Sequence, residues 1–155
     1  MNVSIYNLGS PPFAPNFSYK ELYSHSLDAP SIHYLNDKVV IALQAIRDYY
    51  NVPIKVNSTF RTFSNNEAVG GLVNSQHLLG NAIDFSFMTV SMTNKYNSDI
   101  LSRGILFNKL RSMGVTGFGI YSNFHHIDVR EPKNLSHNDS YGNYAFWNFI
   151  KKKII

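Results

Sequence analysis

A chain of 155 residues, 44% hydrophobic and 14% aromatic with only 15% charged, carries enough apolar side chain to bury one compact core and is too apolar to stay disordered. The formal charge of +4 is modest and its one basic run, Lys151 to Lys153, reads as a solvated tail, so charge alone separates neither an anionic wall nor nucleic acid as partner. The absence of cysteine excludes a disulfide framework, a thiolate metal site and a cysteine nucleophile, leaving only nitrogen and oxygen donors for any metal.

Met1 to Ser10 has no basic region followed by an apolar stretch, which predicts a chain made without a Sec-type signal. No segment approaches the ~18 consecutive apolar residues of a membrane span. Residues 1–17, with three of the six prolines, read as an extended lead-in. The fold is expected to start near Ser18 and to form a single domain over residues 1–155, with 131–155 as a C-terminal segment. Val39, Ala42, Leu43, Ile46, Tyr49 and Tyr50 recur at helical spacing and predict a helix from Asp37 to Asn51, capped by Asn36 and stopped before Pro53.

Ile54, Val56 and Ser58 alternate with Lys55 and Asn57, predicting a short strand that leads into Thr59, Phe60 and Arg61. Residues 62–76 are polar, contain Gly70 and Gly71, and read as a loop. Ala82 to Phe87 predicts a second strand, with Ala82, Asp84 and Ser86 on one face and Ile83, Phe85 and Phe87 on the other. A second helix is predicted over Ser98 to Met113, stopped by Gly114, followed by strands at Phe118 to Tyr121 and His125 to Val129. Few helices and short strands joined by short turns define an α+β domain, a small antiparallel sheet flanked by helices.

The chemistry concentrates in two stretches. In Ser75-Gln76-His77-Leu78-Leu79-Gly80-Asn81-Ala82-Ile83-Asp84, a loop-end histidine and a strand aspartate converge if Gly80 turns the chain back. That makes half a metal site, and the usual third protein ligand of a catalytic zinc has to come from elsewhere. Phe124-His125-His126-Ile127-Asp128-Val129-Arg130 supplies candidates, with His126 and Asp128 on one face of a strand and His125, Ile127 and Val129 on the other. Taken singly, His77 or His126 on an apolar strand reads as a satisfied core histidine, but as a spaced set with Asp84 they read as ligands, because a buried carboxylate is costly unless paired or metal-bound. Asp128 is the candidate proton acceptor for a metal-activated water, and Arg61 is placed to bind a substrate carboxylate or a developing oxyanion. His25, His33 and His137 lack such context and read as surface residues.

Asn57-Ser58-Thr59-Phe60-Arg61-Thr62, Asn66, Val69-Gly70-Gly71 and Ser75 to Asp84 together resemble the zinc D-Ala-D-Ala carboxypeptidase family. Gly117-Phe118-Gly119-Ile120-Tyr121 with Phe124 to Arg130 resembles its second metal block, and Asn16 to Leu22 resembles the segment before its first helix. The resemblance implies the fold shared by lysostaphin-type peptidases, D-Ala-D-Ala peptidases and the hedgehog signalling domain. It implies Zn2+ on His77, Asp84 and His126, Arg61 as the substrate or transition-state arginine, and Ser75, Gln76, Tyr121, His125 and Trp147 as further substrate-binding positions. One departure stands out: several relatives place an acidic base three residues before the last histidine ligand, where this chain has Asn123. The base is then Asp128, or His125 if the strand register is shifted.

The expected activity is hydrolysis of peptidoglycan stem peptides, with no nucleic-acid or membrane partner. A chain without a signal would act as a phage endolysin delivered from the host cytoplasm by a lysis system, or as a virion-associated enzyme, as a monomer or part of a virion assembly. The rival reading is a non-catalytic structural or binding module that keeps the fold.

Overall fold

The computed structural model describes residues 9–23 and 34–150 of the chain, so His25, His33 and the Lys151 to Lys153 run lie outside the described residues. The described part of the proline-rich lead-in is not extended. It folds as turns closed by the Ala14 N–H donating to the Pro11 carbonyl, and it buries Ala14 and Phe17 completely. Asn16 and Gln44 exchange two hydrogen bonds that pin this segment to the long helix. Ser18 and Glu21 then form a reciprocal capping pair that opens α1 (Tyr19–Tyr23).

Helix α2 (Asp37–Tyr50) starts where expected, with the Asn36 side chain accepting from the Lys38 N–H. Its core face is Val39, Val40, Ala42, Leu43 and Ile46, whereas Tyr49, expected on that face, is exposed. The predicted loop 62–76 contains a helix, α3 (Phe63–Ala68), capped by Thr62, and ends at Ser75, which caps a single 3₁₀ turn (Gln76–Leu79). The predicted helix Ser98 to Met113 is corrected to two helices, α4 (Val90–Leu101) and α5 (Ile105–Ser112). Arg103 turns left-handed between them with φ 55°, and the Asn108 amide donates to the Arg103 and Gly104 carbonyls to fix the break. The start of α4 was hidden because its buried face includes Thr93 and Asn97, polar residues at helical spacing with Tyr96 and Ile100.

Six strands form the sheet: β1 (Ile54–Ser58), β2 (Ala82–Phe87), β3 (Gly117–Ile120), β4 (His125–Asp128), β5 (His137–Asp139) and β6 (Gly142–Asn148), in spatial order β1-β2-β4-β3-β6-β5. All neighbours are antiparallel except β3 and β6, which run parallel, so the sheet is α+β in class but not wholly antiparallel. The segment expected only as a C-terminal extension thus contributes two strands. Ile83, Phe85, Phe118 and Ile127 face the helical layer, where they join Leu43, Ile46, Tyr96, Ile100, Leu106 and Leu110 in one buried cluster. The opposite face of β2, β4 and β3 is left for polar side chains.

Because Phe17 is 1% exposed inside that cluster while Phe13 is 39% exposed, the two lead-in phenylalanines should behave differently. Phe17→Ala is expected to lower the unfolding free energy by about 3–5 kcal/mol, and Phe13→Ala by much less, in urea denaturation. Equal small effects would return the lead-in to a loosely attached extension.

Candidate metal centre

The register of the sheet's centre decides the site. Asp84 on β2 pairs with His126 on β4, His126 pairs with Gly119 on β3, and Gly119 pairs with Trp147 on β6, so four residues stand in one row across the sheet. Gly119 has no side chain, and a Cβ there would fall 2.7 Å from the indole ring. The gap lets Trp147 lean across to His126, ring centroids 5.0 Å apart. Gly117, paired with Asp128, likewise leaves the space that the Asp128 carboxylate fills.

His77 arrives from the 3₁₀ turn. Gly80 closes that turn at φ 68°, where a side chain would also collide with the Tyr34 backbone carbonyl, and the Asn36 N–H donates to the Gly80 carbonyl. A main-chain bond from the Arg61 N–H to the His77 carbonyl ties the turn to the segment after β1. The bulge between Val56 and Ser58 brings Ser58 opposite Asp84, and Arg61 then donates from Nε to Ser58 Oγ at 2.9 Å and from Nη2 to Asp84 Oδ2 at 3.2 Å.

The Nδ1 of His77 stands 2.6 Å from the Thr59 carbonyl, which can only accept, so Nδ1 carries a proton and the neutral tautomer this contact selects has its lone pair on Nε2. That lone pair is 3.1 Å from Asp84 Oδ2, yet Nε2 is buried without a hydrogen-bond partner. Two acceptors facing each other in a buried place call for a cation between them. The other Asp84 oxygen lies 2.8 Å from His126 Nδ1, and one donor atom from each of His77, Asp84 and His126 lies within 4.8 Å of the others. Two imidazoles and one carboxylate around one point fit a divalent ion such as zinc with a coordination position left open.

His126 Nε2 sits 2.7 Å from Asp128 Oδ2. Burial opposes charging this ring, but its bonds to Asp128 and Asp84 outweigh burial and raise its pKa to about 9 without an ion. Burial also opposes ionising Asp84 and Asp128, and again the neighbours win. The His126 hydrogen bond chiefly holds Asp84, and those of Arg130 and His126 hold Asp128, well below the usual carboxylate range.

A cleft of about 610 Å³ opens over the row. Arg61, Ser75, Gln76, Tyr121 and Trp147 line it together with the three donors. His125 does not, which corrects its expected place beside substrate. It points to the other face of β4, fully buried against Phe85, Phe87 and Tyr96, with both ring nitrogens unpartnered and burial lowering its pKa to about 3. The shifted register that would have made it a base is therefore not the one adopted. Asp128, expected as the base, is fully buried beneath His126 and is not among the cleft-lining residues. His137 is half-buried against Tyr144, away from the cleft.

Sequence reasoning passed over Phe124, Phe149 and Arg130 as lining residues. The Arg130 signal was present, because it follows His126 and Asp128 at strand parity.

Fold and site together define an α+β domain with a His-Asp-His cluster that could hold a metal ion on the open face of its sheet. The chain belongs to the Peptidase M15 family, whose profile matches residues 15–129. No curated protein matches it. The matched span holds all three donors and ends at Val129, so Arg130 and Trp147 lie beyond it. Among the described residues no helix is long and apolar enough to cross a membrane.

The single tryptophan reports on the row. Gly119→Ala should push the indole off His126, seen as a red-shifted emission and a stability loss of about 1–3 kcal/mol. An unchanged emission spectrum would mean that the gap at Gly119 does not set the indole's place.

Proposed function

We propose that this chain is a zinc-dependent peptidase that hydrolyses peptide bonds of bacterial peptidoglycan, serving a bacteriophage as an endolysin or a virion-borne wall-opening enzyme. The observation that carries the metal reading is the unpartnered His77 lone pair aimed at the Asp84 carboxylate, with His126 completing the donor set. Membership of a peptidase family supports the reaction.

Zinc, when bound, would bring the pKa of a water towards neutrality and polarise the substrate carbonyl. The chain's own residues do the rest. Thr59 fixes the His77 tautomer so that Nε2 would be free to hold the ion, and Asp128 does the same for His126 by accepting from Nε2, so that Nδ1 would be its ligating atom. Arg61, braced by Ser58, holds a fixed positive charge beside Asp84, where it can stabilise charge growing on a carbonyl oxygen. Tyr121, whose hydroxyl accepts from the Trp147 indole at 2.8 Å, stacks on Phe124 and walls the cleft with apolar surface that excludes water from one side.

Asp128 acts in this scheme through His126. Its oxygens are taken by His126 and by three donors of Arg130, and a carboxylate so strongly held in its charged form is a poor proton acceptor. Among the described residues lining the cleft, Asp84 is the only carboxylate. That shortage, with Asn123 where relatives carry an acid, favours the second reading, a metal-binding module of a virion that holds wall peptides without cutting them.

Incubation with purified peptidoglycan separates the two. Zinc-loaded protein should release new amine termini and a chelator should abolish the release; zinc-loaded protein that leaves the wall uncut supports the module. Mass spectrometry of the released muropeptides would identify the bond. Asp128→Asn should weaken zinc binding or activity by about 10–100-fold, the range for partners of metal-ligating histidines, measured by zinc titration and by kinetics. A fall in kcat with zinc affinity untouched would instead make Asp128 the base.

A further inference from the structure

Two guanidinium groups line the cleft, and they differ in what they have left to offer. Arg61 is committed at every nitrogen: Nε to Ser58, Nη1 to Asn66 and Nη2 to Asp84. Arg130 is committed on one edge only. Its Nε donates to Asp128 Oδ1 at 2.8 Å and its Nη2 to Asp128 Oδ2 at 2.6 Å, while its backbone N–H also donates to Oδ1. Among the described residues this side-on fork leaves Nη1 without a hydrogen bond and leaves the second N–H of Nη2 beside it. Those two groups form the other edge of the planar guanidinium, the edge that matches the two oxygens of a carboxylate.

The group is also held still. Asp128 grips one edge from below, and the guanidinium carbon lies 5.2 Å from the Trp147 ring centroid, while 24% of the side chain stays exposed and the residue lines the cleft. A fixed arginine loses little freedom on binding, which favours a bidentate contact over the loose pairing of a mobile surface side chain. Among the described residues lining the cleft the charged groups are Arg61, Arg130 and Asp84, apart from the histidines, and the Asp84 charge is turned towards Arg61, His77 and His126.

We infer that Arg130 is the specificity-determining residue of this cleft, taking a carboxylate of the substrate peptide on its free Nη1/Nη2 edge. The inference deepens the peptidase reading and rests on it. It puts the carboxylate contact on Arg130 rather than on Arg61, whose three bonds already engage Nε, Nη1 and Nη2 and leave no nitrogen wholly free.

The test compares a stem pentapeptide ending in D-Ala-D-Ala with versions in which each carboxyl group is amidated in turn, using zinc-loaded full-length protein. One amidation should lower kcat/KM about 10–100-fold, the scale of a charged hydrogen bond, and chiefly through KM. In Arg130→Gln that discrimination should collapse to within about twofold, with the carboxylate peptide losing far more than its amide; Arg130→Lys should retain part of it. A wild-type protein indifferent to both amidations overturns the inference. So does an Arg130→Gln variant that loses the same factor on every peptide, which would leave Arg130 as no more than a brace for Asp128. If the wild type cuts none of them, the peptidase reading fails, and calorimetry with the same peptides still decides the subsite. Carboxylate-selective binding that Arg130→Gln abolishes upholds it, and unselective or absent binding ends it.

Discussion

The site is organised around one carboxylate withdrawn from water. Asp84 is 9% exposed, and its two oxygens are shared among His77, His126 and Arg61, groups drawn from three separate parts of the chain. A carboxylate in such a place is tolerable only while its partners stay, since breaking a buried ion pair costs about 3–5 kcal/mol. The constraint propagates outward. It requires the bulge in β1 that aims Arg61, the left-handed Gly80 that aims His77, and the β2/β4 register that aims His126.

A second layer fixes the partners in turn. Thr59 and Asp128 each occupy one nitrogen of an imidazole, so the remaining nitrogen of each ring is committed towards Asp84. Asp128 is itself clamped by Arg130, and the glycines of β3 make room for both the carboxylate and the indole above it. The helical layer supplies no donor to this cluster. Its part is to bury the other face of β2 and β4, where Phe85 and His125 pack with Tyr96, so that the strands carrying Asp84 and His126 cannot tilt.

How much of this was legible in the sequence follows from what each feature depends on. Strand parity is local, so the placement of Asp84, His126 and Asp128 on one face and of His125 on the other could be read directly, and Gly80 announced the turn that returns His77. The start of α4 was not legible, because the polar Thr93 and Asn97 take core positions there; the Asn97 amide donates to the Tyr121 carbonyl. The burial of the lead-in depends on a side-chain exchange with Gln44 far along the chain. The burial of Asp128 beneath His126 was out of reach for the same reason. Facing the right way on a strand does not reveal that a neighbour two residues on closes over it, and only the folded geometry shows which edge of Arg130 remains open.

The parallel pairing of β3 with β6 sets the donors apart from the wall beside them. Asp84 and His126 sit on strands that pair with each other without β6, and the family match ends before that strand begins. The indole's strand can therefore change in sequence while the Asp84–His126 register holds, so one flank of the groove can be reshaped without moving the donors.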